Sequence, residues 1–386
     1  MFVQTNDLAG QEKQNTLKSE RWVVQKLGGT SLGHFATNIA KDIIRPGAQE
    51  HRVAVVCSAI SRSTKENGTT NRLFLACSEL QTDGASFSRF IDGMQLEHVQ
   101  AAMRDIQSLS IREELIKRIR YECASVIKTL NAAYFLGEVG PACVGRVVSA
   151  GERLSCHYLV AILQDIGLQA SFVDVSNLNL ALSSPIDWND EAFVGRVATE
   201  VSEKILSVSG IPIITGYFEL QPAGALLAHV GRGYTDLCAA LVATGLEATQ
   251  LQIWKEFDGV FTADPHHVPD ATLLSHLTLS ELKGLTSYGS QVVHTAAVDV
   301  ARDQNLMLSV RNVSKPLNPG TLVTQGVGDP ETQFMAITIK RYIATLNLRN
   351  LQHYSGFGNP SEVSFEWGNS YNKRIWTLNG CLSSRK

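Results

Sequence analysis

Short apolar runs alternate with longer segments of helical periodicity along most of the chain. The runs carry few charges, as strands buried on both faces of a parallel sheet do. They lie at residues 22–27, 52–57, 170–175, 211–215, 250–254 and 307–312. Apolar positions at helical spacing predict helices near residues 38–44, 73–136, 153–163, 191–208 and 279–285. Because strands and helices alternate, the sequence predicts an α/β fold with a mainly parallel central sheet.

The first strand runs into a turn that suits a phosphate group. The turn contains a lysine, two glycines and two hydroxyl residues, namely Lys26, Gly28, Gly29, Thr30 and Ser31. Glycines permit a sharp turn, and free backbone N–H groups at the start of a helix bind anions. The spacing is not that of a P-loop. An ordinary strand-to-helix turn with Thr30 or Ser31 as the N-cap is the alternative interpretation.

A polar loop follows the second strand. Residues 58–72 are rich in hydroxyl groups, including those of Ser58 and Thr70. Loops at the carboxyl ends of parallel strands line the ligand crevice of open α/β sheets. The loop is therefore a candidate substrate site, although an ordinary surface loop would have a similar composition.

Ser149 and Glu152 stand three residues apart before an apolar helical run. This spacing is typical of a capping box at a helix N-terminus. The functional alternative is that Glu152, beside Gly151 at the start of the helix, binds a substrate ammonium group.

Residues 229–241 contain the densest group of candidate functional residues. Gly231 and Gly233 flank Arg232, and Asp236 lies at the start of a predicted helix. The guanidinium of arginine forms a planar fork that pairs with a carboxylate through two hydrogen bonds. Asp236 is either part of the same site or an N-cap.

The remaining segments are less regular. Two turn signals within residues 255–265 predict a hairpin whose aromatic residue could stack on a purine. Residues 288–294 are predicted to begin a helix, and residues 316–330 to form a turn-rich linker. Residues 334–347 alternate like a strand, whereas residues 350–386 show no clear period.

Composition limits the classes of protein to consider. With a formal net charge of −3 over 386 residues, neither nucleic acid nor a membrane surface is expected as a partner. No segment has the roughly 18 uninterrupted apolar residues of a membrane helix, and residues 1–20 are interpreted as a disordered lead-in without a signal sequence. The seven cysteines form no C-x-x-C pair, which favours reduced thiols in the cytoplasm and excludes a zinc site of that type.

Five motifs, taken together and in this order, resemble those of the aspartate kinase family, most closely its fungal branch. They are K-L-G-G-T-S at 26–31, S-A-G-E-R-L-S at 149–155, G-R-G-Y-T-D at 231–236, W-K-E-F-D-G-V-F-T-A-D-P at 254–265 and Y-G-S-Q-V-V-H at 288–294. The resemblance extends over residues 22–325 and implies the amino-acid-kinase fold, an αβα sandwich.

The resemblance also implies an activity, the phosphorylation of the β-carboxylate of L-aspartate by ATP with Mg²⁺, giving 4-phospho-L-aspartate. This is the first step towards aspartate semialdehyde, homoserine, threonine and methionine. By motif match, the catalytic residues are Lys26 and Asp236, and no metal ligand is assigned. The aspartate-binding residues are Ser58, Thr70, Glu152 and Arg232. The nucleotide-binding residues are Lys26, Gly28, Gly29, Thr30, Ser31, Lys255, Glu256, Phe261 and Asp264.

The chain departs from the family pattern near the nucleotide segment. His266 replaces the usual arginine, Gln291 a frequent lysine and Thr295 a proline, while Tyr217 stands where phenylalanine is usual. A neutral glutamine does not replace an ammonium group beside phosphate, so these changes are expected to alter nucleotide affinity.

The largest departure is C-terminal. Residues 21–325 are assigned to a catalytic domain, and residues 326–386 to a linker and a truncated remnant of the ACT regulatory domains of the family. Only residues 336–347 resemble an ACT strand. We therefore expect an enzyme without feedback inhibition that is dedicated to a secondary-metabolite pathway. We also expect the exposed strand edge to pair, for example across a homodimer.

Two alternatives to this function remain open from the sequence. One is an amino-acid kinase of the same fold that acts on another substrate, such as glutamate. The other is a catalytically impaired paralogue that binds or regulates an active kinase.

Overall fold

An eight-stranded sheet lies at the centre of the larger of two structural units, which comprise residues 1–339 and 340–386. The computed structural model describes residues 21–62, 68–82, 87–178, 188, 190–220, 224–231, 233–288, 292–326, 363–369 and 372–378. The strands of the sheet are β1 (Trp22–Leu27), β2 (Arg52–Cys57), β3 (Ala170–Val173), β4 (Ile211–Thr215), β5 (Gln250–Lys255), β6 (His276–Thr278), β7 (Leu308–Asn312) and β8 (Thr321–Thr324).

The strand order is β3-β4-β2-β1-β5-β7-β8-β6, and every neighbouring pair is parallel except β7 with β8. The predicted α/β class and mainly parallel sheet are therefore confirmed. Lys26 on β1 lies between Val56 of β2 and Ile253 of β5. The carboxyl end of β1 is thus placed at the centre of the sheet.

Helices cover both faces of the sheet. They are α1 (Gly29–Asn38), a π-helical continuation (Ile39–Ile44), α2 (Arg45–Glu50), α3 (Thr69–Thr82), α4 (Ser88–Asp105), α5 (Leu109–Leu136), α6 (Pro141–Asp165), α7 (Glu191–Leu206), α8 (Ala225–His229), α9 (Tyr234–Gly245), α10 (Leu279–Tyr288) and α11 (Thr295–Asp303).

Two hydrophobic cores separate these helices into layers. One core joins α7, α9 and α11 to strand residues such as Val24 and Ile253. The other core joins helices α1, α3, α4, α5 and α6 to the opposite face of the sheet, where Leu27 and Val55 lie. Because side chains alternate along a strand, Lys26 shares the face of Val24 and is directed towards α9. The result is the predicted αβα sandwich.

Two local predictions are wrong, and one strand was not predicted. Ser149 and Glu152 do not begin a helix, because α6 already starts at Pro141, and the Ser149 hydroxyl donates to the carbonyl of Arg146 within the helix. Residues 316–330 are not only a linker, since they contain β8. β6 was not predicted either, because strands of three and four residues are too short to show a period.

Two other segments also differ from expectation. Residues 255–265 do not fold as a hairpin on themselves; instead Phe261 pairs with Leu273 in an isolated antiparallel bridge. Tyr288 ends α10 rather than beginning a helix, and α11 begins at Thr295 with His294 as its N-cap, while residues 289–291 lie outside the described residues. The predicted strand at 334–347 and the lead-in at 1–20 lie outside the described residues.

The smaller unit contains an antiparallel hairpin of β9 (Val363–Asn369) and β10 (Asn372–Leu378), in which Val363 is opposite Leu378. It lies in the region where the sequence showed no period. Among the helices described in the structure, none is long and apolar enough to cross a membrane.

The turn after β1 is tightly packed, which gives a test of the fold at the site. A Cβ at Gly29 would lie 2.0 Å from the carbonyl oxygen of Ala59, whereas a Cβ at Gly28 would meet its nearest atom at 3.5 Å. We expect G29A to lower the free energy of unfolding by about 2 kcal/mol or more, because the backbone of the β2 loop has to move. The matched change G28A should cost much less. Urea unfolding measures both, and equal losses would contradict the packing argument.

Candidate functional site

A buried ion pair lies at the carboxyl edge of the sheet. Nζ of Lys26, near the end of β1, is 2.7 Å from Oδ1 of Asp236 in the first turn of α9, and each side chain is only 7% exposed. Helix α9 packs on the face of the sheet that α7 and α11 also cover, and the Lys26 side chain of β1 points to this face. The two side chains therefore meet between the sheet and α9. The structure thus brings together the two residues predicted to be catalytic.

The conformation at the start of α9 directs the Asp236 side chain towards Lys26. The N-cap is Gly233, with a φ of 107°, so the N-cap interpretation of Asp236 is wrong. A Cβ at Gly233 would lie 2.7 Å from the ring of His294. The backbone N–H of His294 donates to Oδ2 of Asp236 at 3.1 Å. Asp236 is therefore held from two sides, by Lys26 and by the backbone that precedes α11.

Asp236 stays ionised throughout the neutral range. Burial alone raises its pKa, but the ammonium groups of Lys26 and Lys255 and the N–H of His294 outweigh burial and lower the pKa to about 2. A depressed pKa in the folded state means that the ionised carboxylate stabilises the fold above the ordinary value of about 4. This contribution is lost as the pH falls towards 2.

The turn after β1 leaves polar backbone groups at the start of α1. Gly28 is the N-cap, and no side chain caps the helix, so the N-cap interpretation of Thr30 and Ser31 is wrong. The first N–H groups of a helix have no partner within it and favour an anion. The hydroxyl of Ser31 instead donates to Oε1 of Glu256, just after β5, at 2.6 Å. Two segments predicted to bind the nucleotide are thus in direct contact.

Glu152 reaches the same edge of the sheet from the opposite layer. It lies in the middle of α6, fully buried, and its Oε1 accepts a hydrogen bond from the hydroxyl of Tyr234 at 2.7 Å. A Cβ on Gly151 would be 2.8 Å from the Cβ of Ala59, so the absence of a side chain there lets α6 approach the loop after β2. The backbone N–H of Ile60 also donates to the hydroxyl of Ser155 on α6 at 2.9 Å.

The two other predicted aspartate contacts that the structure describes lie beside these residues. Ser58 accepts a hydrogen bond from the hydroxyl of Thr235 at 3.4 Å. Thr70, in the first turn of α3, forms a hydrogen bond with Tyr234. Ser58, Thr70 and Glu152 therefore converge on the first turn of α9, which also carries Asp236.

Other predicted residues are not brought to this point. Asp264 is exposed and accepts hydrogen bonds from the N–H of His266 and from the ring of His267. Phe261 is half-buried beside Leu273. Within the described parts of the chain, no contact is recorded between Phe261 or Asp264 and the Lys26 pair. Arg232 and Gln291 lie outside the described residues.

Two residues of the site were not assigned a role from the sequence. Tyr234 and His294 both occur in the quoted motifs, but neither was singled out. Gly233 indicated a turn before the predicted helix, but it gave no information on the position of the Tyr234 ring. His294 contributes a backbone N–H to Asp236, and the sequence carries no signal for such a contact.

The described cysteines fit the prediction of reduced thiols. All six are free, and five of them are buried, while Cys143 is partly exposed. The fully buried pair Cys57 and Cys156 lies beneath the site, and burial holds the pKa of Cys156 well above that of an ordinary thiol. The thiol of Cys156 is therefore not a reactive nucleophile.

The sequence profile of the Amino acid kinase family matches residues 21–312. The chain therefore belongs to the amino acid kinase family. An aspartate kinase of Gibberella moniliformis is 34% identical over 371 residues, which cover 86% of this chain and 72% of that protein. The chain is thus a member of the aspartate kinase branch of the family.

Two further similarities agree with this assignment. The aspartokinase of Schizosaccharomyces pombe is 41% identical over 309 residues, covering 79% of this chain and 59% of that protein. Escherichia coli aspartokinase III, solved in complex with aspartate and ADP, superposes with a TM-score of 0.65 at 27% identity, covering 81% of this chain and 66% of that one. The chain thus spans about three fifths of the length of the fungal aspartokinases that it matches at 40% identity or more.

The buried ion pair gives a thermodynamic prediction. We expect K26M and D236N each to lower the free energy of unfolding by about 3 kcal/mol at pH 7, because each leaves a buried partner without its counter-ion. The double variant should lose much less than the sum of the two. Urea unfolding of all four proteins measures the coupling free energy.

A matched cycle on the exposed pair Arg118 and Glu114 of α5 is the control. It should give a coupling of only about 0.5 kcal/mol. Additive losses for Lys26 and Asp236, or equal couplings in the two cycles, would contradict the strong buried interaction.

Proposed function

We propose that this chain transfers the γ-phosphoryl group of ATP to the β-carboxylate of L-aspartate. The observation that carries the proposal is the buried Lys26–Asp236 pair at the carboxyl edge of the sheet, beside the uncapped start of α1. Membership of the aspartate kinase branch supports the choice of substrate, and the E. coli relative holds aspartate and ADP in its solved complex.

The chemistry requires charge neutralisation rather than a general base. The aspartate carboxylate is already ionised at pH 7. One of its oxygens forms a bond to the γ-phosphorus, while the bond from phosphorus to the bridging oxygen breaks and its electron pair leaves with ADP. No proton is transferred in this step. The barrier is the approach of one anion to another, so positioning and electrostatic stabilisation dominate.

Lys26 supplies the positive charge at this point. Its ammonium group, fixed by Asp236, would contact the transferring phosphoryl group, and the N–H groups at the start of α1 would bind a neighbouring phosphate. Asp236 then acts by orienting Lys26. With a pKa of about 2, Asp236 carries no proton to exchange near neutral pH.

The residues also fit a magnesium ion bound mainly through nucleotide phosphates. Among the residues described by the structure, no group of three or more His, Cys, Asp or Glu side chains forms a cage for a metal. Mg²⁺ commonly uses one or two protein carboxylates together with substrate phosphates and water. The ionised Asp236 is the carboxylate that fits, and the ion would supply further neutralisation of phosphate charge.

On the substrate side, Glu152 would bind the α-ammonium group of aspartate, with Ser58 and Thr70 as neighbouring hydroxyl contacts. Arg232 would pair with a carboxylate of the substrate, as the motif implies. Glu256 and Lys255, with the residues of the α1 turn, would contact the nucleotide, and Phe261 and Asp264 would lie on its outer side.

The direct test is the formation of aspartyl hydroxamate from L-aspartate, MgATP and hydroxylamine. We expect product with the unaltered chain, and D236N should lower kcat by about 100-fold or more because Lys26 loses its orientation. R118A, an exposed change on α5, is the control and should keep normal turnover. Near-normal turnover in D236N would refute its assigned role.

The same assay separates the alternative functions. Product with glutamate but not aspartate would indicate another amino-acid kinase. ATP binding by a folded chain without any product would favour the impaired paralogue, and would refute the proposed activity for this chain.

Regulation and biological role stay sequence-based proposals. We propose that millimolar threonine leaves hydroxamate formation by this chain unchanged, because within residues 326–386 only residues 336–347 resemble an ACT strand. Cooperative inhibition by threonine would refute this proposal. A dedicated role in a secondary-metabolite pathway and pairing as a homodimer are proposed on the same grounds.

A further inference from the structure

We propose that Tyr234 is a positioning residue of the aspartate site, whose hydroxyl group holds the Glu152 carboxylate and the Thr70 hydroxyl in the arrangement that receives the substrate's α-ammonium group. This inference rests on the proposed function. It adds a residue that the motif comparison did not assign, and a physical reason for a tyrosine between Gly233 and Thr235.

The geometry places the Tyr234 hydroxyl between two predicted substrate contacts. It donates to Oε1 of Glu152 at 2.7 Å and forms its second hydrogen bond with Thr70. Tyr234 is 5% exposed and Glu152 is completely buried. These contacts join α9, in one layer of the sandwich, to α6 and α3 in the opposite layer. A phenol that both donates and accepts suits this position.

The ring of Tyr234 is itself held in place. The ring of Tyr217, just after β4, contacts it edge-on with centroids 5.3 Å apart. The hydroxyl of Tyr217 donates to Oε2 of Glu219 at 2.5 Å, and Oε1 of Glu219 accepts the N–H of Gly224 at 2.7 Å. Gly224 is the N-cap of the short helix α8. The support for the Tyr234 ring therefore extends to the N-terminus of α8.

The same contact sets the charge of Glu152. Burial raises the pKa of Glu152 to about 7, although the hydroxyl of Tyr234, the nearby backbone N–H groups and Arg153 each lower it. An ammonium ligand binds the ionised form. Aspartate affinity should therefore rise as the pH increases through about 7, and the Tyr234 hydrogen bond moves this transition towards lower pH.

The other titratable groups that face Glu152 stay neutral over this range. Burial is the main cause in each case, and it raises their pKa values above the neutral range; they are Tyr234 and Cys238 on α9, Tyr217 after β4 and Cys156 on α6. The charged neighbour of Glu152 is the guanidinium of Arg153 on α6. Glu152 is thus the group among these that changes its charge near pH 7.

The test compares Y234F with the unaltered chain by measuring KM for aspartate, KM for ATP and kcat from pH 6 to pH 9. We expect the aspartate KM of Y234F to rise by about tenfold at pH 7, since a hydrogen bond to a charged group is lost. The increase should become smaller towards pH 9, because Glu152 without the phenol ionises at higher pH. The KM for ATP should stay unchanged.

Y158F is the matched control. Tyr158, on α6, is likewise buried, and its hydroxyl donates to a different carboxylate, that of Asp105 at the end of α4. The Y158F change removes the same kind of hydrogen bond and should leave the pH profile of the aspartate KM unchanged. If both variants show the same profile as the unaltered chain, or if Y234F changes both KM values equally at every pH, the proposal is refuted.

A second variant covers the case in which Y234F does not fold. E152Q keeps an acceptor for the Tyr234 hydroxyl but removes the titration, so the rise in aspartate affinity between pH 6 and pH 9 should disappear. A persisting rise would refute the assignment. Absence of any aspartyl hydroxamate from the unaltered chain would instead refute the proposed function, which keeps the two failures distinct.

Discussion

The burial of one opposite-charge pair at the centre of the sheet is the constraint on which the site depends. Removing Lys26 and Asp236 from water is costly, and the cost is offset only where the partner charge and further hydrogen bonds are close. The 2.7 Å contact, the His294 N–H and the nearby Lys255 meet this requirement. Each contribution comes from a different element, so the pair forms only when β1, β5, α9 and the start of α11 are assembled.

Close contacts between elements bring the two layers together above the strand ends. At Gly29, Gly151 and Gly233 a Cβ would lie within 3 Å of an atom of a neighbouring element. These positions join α1 to the β2 loop, α6 to the same loop, and α9 to the segment before α11. The glycines of the motifs therefore serve packing as well as access for a ligand, and this explains how carboxylates from opposite layers reach one edge.

The sequence predicted the fold class and the main strands because fully buried parallel strands leave unmistakable apolar runs, such as residues 211–215. It placed Lys26 and Asp236 in one site through their motifs, and the structure joins them. The prediction that Glu152 lies at the start of a helix was wrong. Ser149 and Glu152 have the spacing of a capping box, and only the full length of α6 shows that they lie in its middle. Long-range contacts of the kind that Tyr234 makes have no local pattern, so no periodicity could have indicated them.

Two buried carboxylates at this edge respond to burial in opposite ways. Asp236 has ammonium neighbours and its pKa falls to about 2, whereas Glu152 has mainly neutral neighbours and its pKa rises to about 7. Burial is comparable, so the difference comes from the charges within reach. On the proposed assignment of the site, the side that would bind phosphate keeps a constant charge around neutral pH, while the side that would bind the amino acid does not. A response of this chain to pH near 7 would accordingly arise in substrate recognition rather than in the charge that faces the phosphoryl group.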